Sequence, residues 1–166
     1  MPFYRFHFDV DAPPQTVVER LRSIVRDKLS FKESLRRMWP FGIPVTAPFI
    51  GSVSDDWFKI HRDIRYRNSF LPMIRGRVTP NGFGSRVDVT MSLHPLVGLF
   101  MIFWLGGVGL SAFAIRSASS VIPVGMFIFG AALTAAGFFP EAMKAKQLIS
   151  NAANESALTP DVRFSK

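Results

Sequence analysis

The residues of this chain whose types permit chemistry are three histidines, one loop serine and a scatter of cations. His61 and Asp63 stand two residues apart in Trp57–Arg67, a segment that alternates like a strand, so both fall on one face. A second strand carrying His7 alongside them would complete a two-histidine, one-carboxylate set of the kind that holds a transition metal. Such residues on an outward strand face are more often plain surface groups, and no metal ligand is assigned. Ser69 lies in Arg67-Asn-Ser-Phe-Leu-Pro72, without the Gly-x-Ser-x-Gly turn that raises a serine nucleophile. Asn81-Gly82-Phe83-Gly84 reads as a hairpin turn, not a phosphate cradle. The chain has no Cys, which excludes a disulfide framework, thiol catalysis and Cys-ligated metals. No nucleophile, base and orienter assemble, so no catalytic or cofactor residue is assigned, no cofactor is expected and the chain is read as a non-enzyme.

The cations form the stronger pattern. Alternation places Arg5, Lys59, Arg65, Arg67, Arg75, Arg77 and Arg86 on the outward face of a sheet, against Asp9, Asp63 and Asp88. Such a face can hold anionic lipid headgroups, each cation contributing roughly 1 kcal/mol near a charged leaflet. It can equally meet an acidic protein partner, or serve only as a solvated face. Nucleic acid is not an expected partner: no finger, helix-turn-helix or ribonucleoprotein motif is present, and the cations are not interleaved with exposed aromatics.

These residues need elements to position them. Phe3–Val10 alternates with Tyr4, Phe6, Phe8 and Val10 on one face, a half-buried strand. Pro13 and Pro14 suit a turn into a helix over about 14–29, with Val17, Val18, Leu21, Ile24 and Val25 as its apolar stripe. Residues 31–39 read as a second amphipathic helix, and Pro40 to Pro48 as a loop. Four strands follow over 49–54, 57–67, 73–79 and 85–93, with Arg62 alone breaking the inward set of the second. The fold class expected is α+β: an antiparallel sheet with one or two covering helices.

Composition then changes sharply. The chain has 166 residues, a formal net charge of +8 and a mean hydropathy of +0.21, which coexist only if apolar and charged residues are segregated. Leu96–Ile115 and Val121–Phe139 are uncharged, with Ser111 and Thr134 as their only polar side chains. As helices they span roughly 28–30 Å, the thickness of a bilayer's hydrocarbon core. The five residues between them, Arg116–Ser120, suit a tight turn. The expectation is a transmembrane hairpin; the competing reading, a hairpin buried in a soluble core, lacks the polar stripe such helices keep. Glycines 98, 106, 107 and 109 in the first span and 125, 130 and 137 in the second, with Ala131, Ala132, Ala135 and Ala136, provide small faces. These serve packing within the hairpin, or a homo-oligomer.

Residues 1–95 carry 15 Lys and Arg against 9 Asp and Glu, while the turn carries Arg116 alone. The positive-inside rule therefore places both termini in the cytoplasm, and no cleaved signal peptide is read at the N-terminus. The organisation expected is a cytoplasmic α+β domain over 1–95, a hairpin over 96–139 (spans 96–115 and 121–139), and a cytoplasmic C-terminal segment over 140–166 with a short helix at 141–157.

Two resemblances follow. Tyr66-Arg-Asn-Ser-Phe-Leu-Pro72, Gly76, Met91-Ser-Leu-His-Pro95 and Phe139-Pro-Glu141 resemble a group of small uncharacterised bacterial membrane proteins over roughly residues 49–148. That implies the inner membrane of a bacterium and this architecture, with no established activity to carry over. Phe8-Asp-Val-Asp-Ala-Pro-Pro-Gln-Thr-Val-Val is similar to the first strand and helix of START-like lipid-binding domains, which implies a cavity under a long C-terminal helix. Here the hairpin interrupts the place of that helix. The function expected is a membrane-anchored binding or interaction domain in contact with membrane lipids. The alternatives are a START-like carrier or sensor of an apolar ligand, and an enzyme on membrane substrates with a polar pocket around His61, Asp63 and Arg65.

Overall fold

The computed structural model describes residues 2–27, 47–64, 66–114 and 121–155. The helix expected over 31–39, Arg65, the turn Arg116–Ser120 and the tail after Thr159 lie outside them. The elements are β1 (Phe3–Val10), α1 (Pro14–Ser23), β2 (Val25–Asp27), β3 (Phe49–Val53), β4 (Trp57–Arg62), β5 (Met73–Asn81), β6 (Gly84–Ser92), α2 (Pro95–Ala114) and α3 (Val121–Asn154). The class is α+β followed by two long apolar helices.

The six strands form one sheet in the order β1-β6-β5-β4-β3-β2, antiparallel except where β2 pairs with β3. Strict alternation sets the register: Tyr4, Phe6 and Phe8 lie opposite Met91, Val89 and Val87, which lie in turn opposite Ile74, Gly76 and Val78. A slip of one residue would turn every one of these side chains to the other face. The β5–β6 turn needs glycine at its first central position, and Gly82 has φ +61° there. Gly76 is required for a different reason. The Phe58 ring lies across it, and a Cβ at Gly76 would stand 2.1 Å from a ring carbon.

Two stretches depart from expectation. Helix α1 stops at Ser23, and Val25–Asp27 peels off as a strand beside β3, so the apolar Ile24 and Val25 extend the stripe beyond the helix itself. Strand β4 stops at Arg62, where the Asp63 N–H bonds the Pro48 carbonyl. Ile64, Tyr66 and Arg67 therefore belong to a loop.

The inner face of the sheet is covered by α1 and by the second half of α3. From α1, Val17, Val18 and Leu21 are buried; from α3, Phe138, Ala142, Ala145, Ile149 and Ala153. Three of those five are alanine, so the helix backbone lies close to the sheet. The Arg20 guanidinium donates to the Ala153 carbonyl at 2.9 Å, tying α1 to the C-terminal end of α3. The helix expected over 141–157 is thus not a separate element. It continues the second apolar span through Pro140 as one 34-residue helix. Proline removes one N–H and crowds one turn; here the neighbouring Gly137 carbonyl accepts a 2.8 Å bond from the Asn68 side chain. The long helix over the sheet, expected to be displaced by the hairpin, is therefore present as the hairpin's own extension.

Helix α2 and the first half of α3 pack on each other, and each is long and apolar enough to cross a membrane. Only 11% and 17% of their most apolar stretches are buried. Leu99, Phe100, Phe103, Leu110, Phe113 and Phe129 all project outward, the reverse of a soluble core helix. Their two polar side chains bond their own helices: Ser111 to the Val108 carbonyl at 2.8 Å and Thr134 to the Gly130 carbonyl at 2.7 Å. Such self-satisfaction is what an apolar surrounding demands. Gly130 lies under Trp104 and Leu105, and Gly109 meets Phe127, whereas Gly106, Gly107 and Gly125 face open space.

Candidate functional site

No described helix covers the outer face of the sheet, and on it the strands bring cations into rows. Ser52, Lys59, Arg75, Thr90 and Arg5 are successive cross-strand partners from β3 to β1. One step further along, Trp57, Arg77, Asp88 and His7 form the next row. Lys59 opposes Arg75 directly, and Arg77 follows about 7 Å along the same strand face. Like charges in direct opposition destabilise a sheet. Neither Lys59 nor Arg75 has an ion pair among the described residues to relieve this. A shallow depression of about 590 Å³ runs between them, bordered by Trp57, Arg77, Asp88 and Thr90. At the distal end Arg86 pairs with Asp9 at 3.1 Å, and Asn81 donates to the same carboxylate at 3.0 Å. The hydrogen bond from Arg86, with that from Asn81, holds the Asp9 carboxyl below its ordinary range and raises Arg86 in return.

A second concavity, about 520 Å³, lies where β6 hands over to α2. Its polar wall is built by Lys59 and His61 of β4, Asn68 and Ser69 of the following loop, and His94. Its apolar wall includes Leu71, Met73 and Val97, the last in the first turn of α2. His94 Nδ1 accepts from the Leu96 N–H at 3.3 Å. In the neutral ring the proton then sits on Nε2, leaving that nitrogen a donor. Asn68 is fully engaged as scaffold, its amide donating to Gly137 and its oxygen accepting from the Phe70 N–H at 2.9 Å.

On the inner side of the sheet an ionic cluster is built around the buried Glu141. Arg62 faces inward as alternation requires, and its Nη1 donates to Glu141 Oε2 at 2.5 Å. The Tyr66 hydroxyl donates to Glu141 Oε1 at 2.5 Å, and Lys144 stands 3.6 Å from the same oxygen. Donation to the carboxylate, reinforced by desolvation, raises the Tyr66 phenol above its ordinary value. Glu141 is the first residue after Pro140, so the cluster locks the β4 end and its loop onto α3 beside its internal proline.

The outward set read from sequence is therefore only partly assembled. Arg5, Lys59, Arg75, Arg77 and Arg86 are exposed on the outer face, where β2 also places the half-buried Arg26. Arg67 is exposed in the loop rather than on the sheet, and Asp63 is buried beyond the end of β4. The three-residue metal set is not brought together: β5 and β6 lie between His7 and His61, about 14 Å across the sheet, and the register sets His7 four residues beyond the row of His61. No cluster of three metal-ligating residues occurs among the described residues. The pocket expected around His61 exists, but Asp63 does not line it, and His94, Ser69 and Asn68 do. The Arg62–Glu141 pair was signalled only by Arg62 breaking the inward set; its partner lies 79 residues away.

No family model and no curated protein matches the chain. Among solved structures it is similar to the Aha1 dimer from Colwellia psychrerythraea, with 9% identity and a TM-score of 0.35, covering 84% of this chain and 98% of that one. It is also similar to CalU16 from Micromonospora echinospora, with 15% identity and a TM-score of 0.32, covering 90% and 83%. Both superpositions are loose.

Proposed function

We propose that the protein is a membrane-anchored binding module, with α2 and the first half of α3 in lipid and the sheet domain on the cytoplasmic side. Its outer face takes an acidic partner, and it carries out no reaction. The observation that carries this reading is the cationic row, which no described helix covers: Lys59 and Arg75 oppose each other without counter-ions among the described residues, at a cost in stability that an anionic partner removes. The exposed apolar helices support the anchor, and the excess of cations in residues 1–95 supports the orientation.

The test uses full-length protein in neutral phosphatidylcholine nanodiscs, titrated with a labelled polyglutamate peptide. Binding is expected to weaken with salt and to vanish in Arg75→Glu/Arg77→Glu. Equal affinity of the charge-reversed protein would refute the reading. Reporter fusions after Ser119 and Lys166 check the orientation, and external activity at Lys166 would overturn it.

A second reading, a carrier of an apolar ligand, is favoured by α3 lying lengthwise over the inner face of the sheet. Against it, Phe58, Ile60 and Val89 are buried there and Phe6 and Phe8 are half-buried against them. Organic extraction of purified protein decides between the two: a stoichiometric apolar ligand other than a phospholipid is expected of a carrier only.

A further inference from the structure

We propose that the pocket at the β6–α2 junction holds the phosphate of one anionic phospholipid, whose acyl chains run down beside α2. The inference rests on the membrane placement proposed above and concerns a site that shares Lys59 with the cationic row and is otherwise built by other residues.

The walls of the pocket divide by polarity in the way such a molecule does. One side offers three donors that have no partner among the described residues: the Lys59 ammonium, the Ser69 hydroxyl and the Nε2–H of His94. Together they match a phosphodiester, which is an acceptor on every free oxygen. Among the described residues no Asp or Glu lines the pocket, so none of them recognises a cationic headgroup or repels an anionic one. The other side, Leu71, Met73 and Val97, is apolar and leads onto α2, whose next outward residues are Leu99, Phe100 and Phe103. The site thus sits where the chain itself changes from polar to apolar, the level at which a phospholipid changes too. Its volume of about 520 Å³ is that of a small-molecule site.

The position of the pocket is held from both sides. Asn68 ties its loop to Gly137 of α3, and Phe70 packs against that glycine, where a Cβ would approach its ring at 2.8 Å. His94 is fixed by the first turn of α2. The donors therefore have fixed anchors on three elements, which favours recognition of one phosphate over diffuse attraction to a charged surface.

The test is lipid retention. Full-length protein is reconstituted with phosphatidylcholine and a minor share of phosphatidylglycerol, extracted into non-ionic detergent and read by native mass spectrometry. One phosphatidylglycerol is expected to remain in preference to phosphatidylcholine. Retention is expected to fall at least five-fold in Lys59→Met, an exposed and unpaired position whose loss leaves folding intact, and further in Lys59→Met/Ser69→Val. Arg77→Met/Arg86→Met, outside the pocket, retains the lipid while losing affinity for polyglutamate. Equal retention of the two lipids, or undiminished retention in Lys59→Met, would overturn the pocket alone. Displacement of the lipid by millimolar glycerol 1-phosphate would show a site for free phosphate esters and overturn the lipid assignment. Sedimentation of the protein as a soluble species without detergent would overturn the placement on which both proposals stand.

Discussion

Replacing Glu141 by Gln removes the carboxylate that pairs with Arg62 while keeping the shape of the side chain. The carboxylate is 4% exposed and accepts from Arg62 and from Tyr66; the Arg62 side chain is 17% exposed and its Nε has no partner. Removing one member of a buried pair leaves an uncompensated charge, at about 3–5 kcal/mol. The residual solvent contact of Arg62 argues for the lower end, about 3 kcal/mol. Lys144 is 60% exposed and adds less than about 1 kcal/mol. For a chain of this size that corresponds to a fall in Tm of about 6–12 °C, read by circular dichroism in a mild non-ionic detergent. Arg62→Met alone should cost a similar amount. Arg62→Met with Glu141→Leu replaces the pair by apolar groups and should return to within about 1 kcal/mol of the parent. A loss under about 1 kcal/mol for Glu141→Gln, or a double variant no better than the singles, would refute the assignment of this pair as the lock between β4 and α3.

Three further outcomes follow from the same geometry. The Tyr66 phenol keeps its proton because it donates to Glu141, so its folded value lies above its unfolded one. Its stabilising contribution is full below about pH 10 and is lost as pH rises through the raised value; absorbance at 295 nm should show a late-titrating component absent in Tyr66→Phe and shifted down in Glu141→Gln. Gly76→Ala drives a methyl into the Phe58 ring and should destabilise the domain by about 1–3 kcal/mol, measured by denaturant unfolding, with Phe58→Leu relieving part of the loss. Lys59→Thr removes a like-charge opposition and adds a β-branched residue, so it should raise stability by about 0.2–1 kcal/mol while lowering polyglutamate affinity.

Alternation made the sheet readable, because a half-exposed strand repeats every two residues whatever its partner is. That gave β1, β5 and β6 and the cations they display. It also placed Arg62 inward, where the structure finds it. The ends of elements were less legible. Ile24 and Val25 prolong the stripe of α1 in a way that composition cannot separate from the start of β2, which forms only because β3 is there to pair with. Asp63 and Arg67 kept the alternation of β4 after its ladder had ended, since the bond that ends it comes from Pro48, distant in sequence. The span ending at Phe139 and the helix at 141–157 read as two elements although the helix continues, because the support supplied by Asn68 to the Gly137 carbonyl, from 69 residues away, is invisible locally. The junction pocket was foreseen at His61 but not at His94 or Ser69, whose convergence depends on how the loop after β4 folds against α3.

The unbroken α3 has a mechanical consequence. At 1.5 Å per residue its 34 residues make a rod about 51 Å long, half of it beside α2 and half clamped across the sheet. The other attachment, from Ser92 to Pro95, is two residues long. A head joined to its base by one stiff beam and one short strap has no leash. It cannot sweep a hemisphere of solution in search of targets, and its height and heading are those of the beam. Whatever docks on the outer face must arrive at that height, and any tilt of the beam swings the docking face with it.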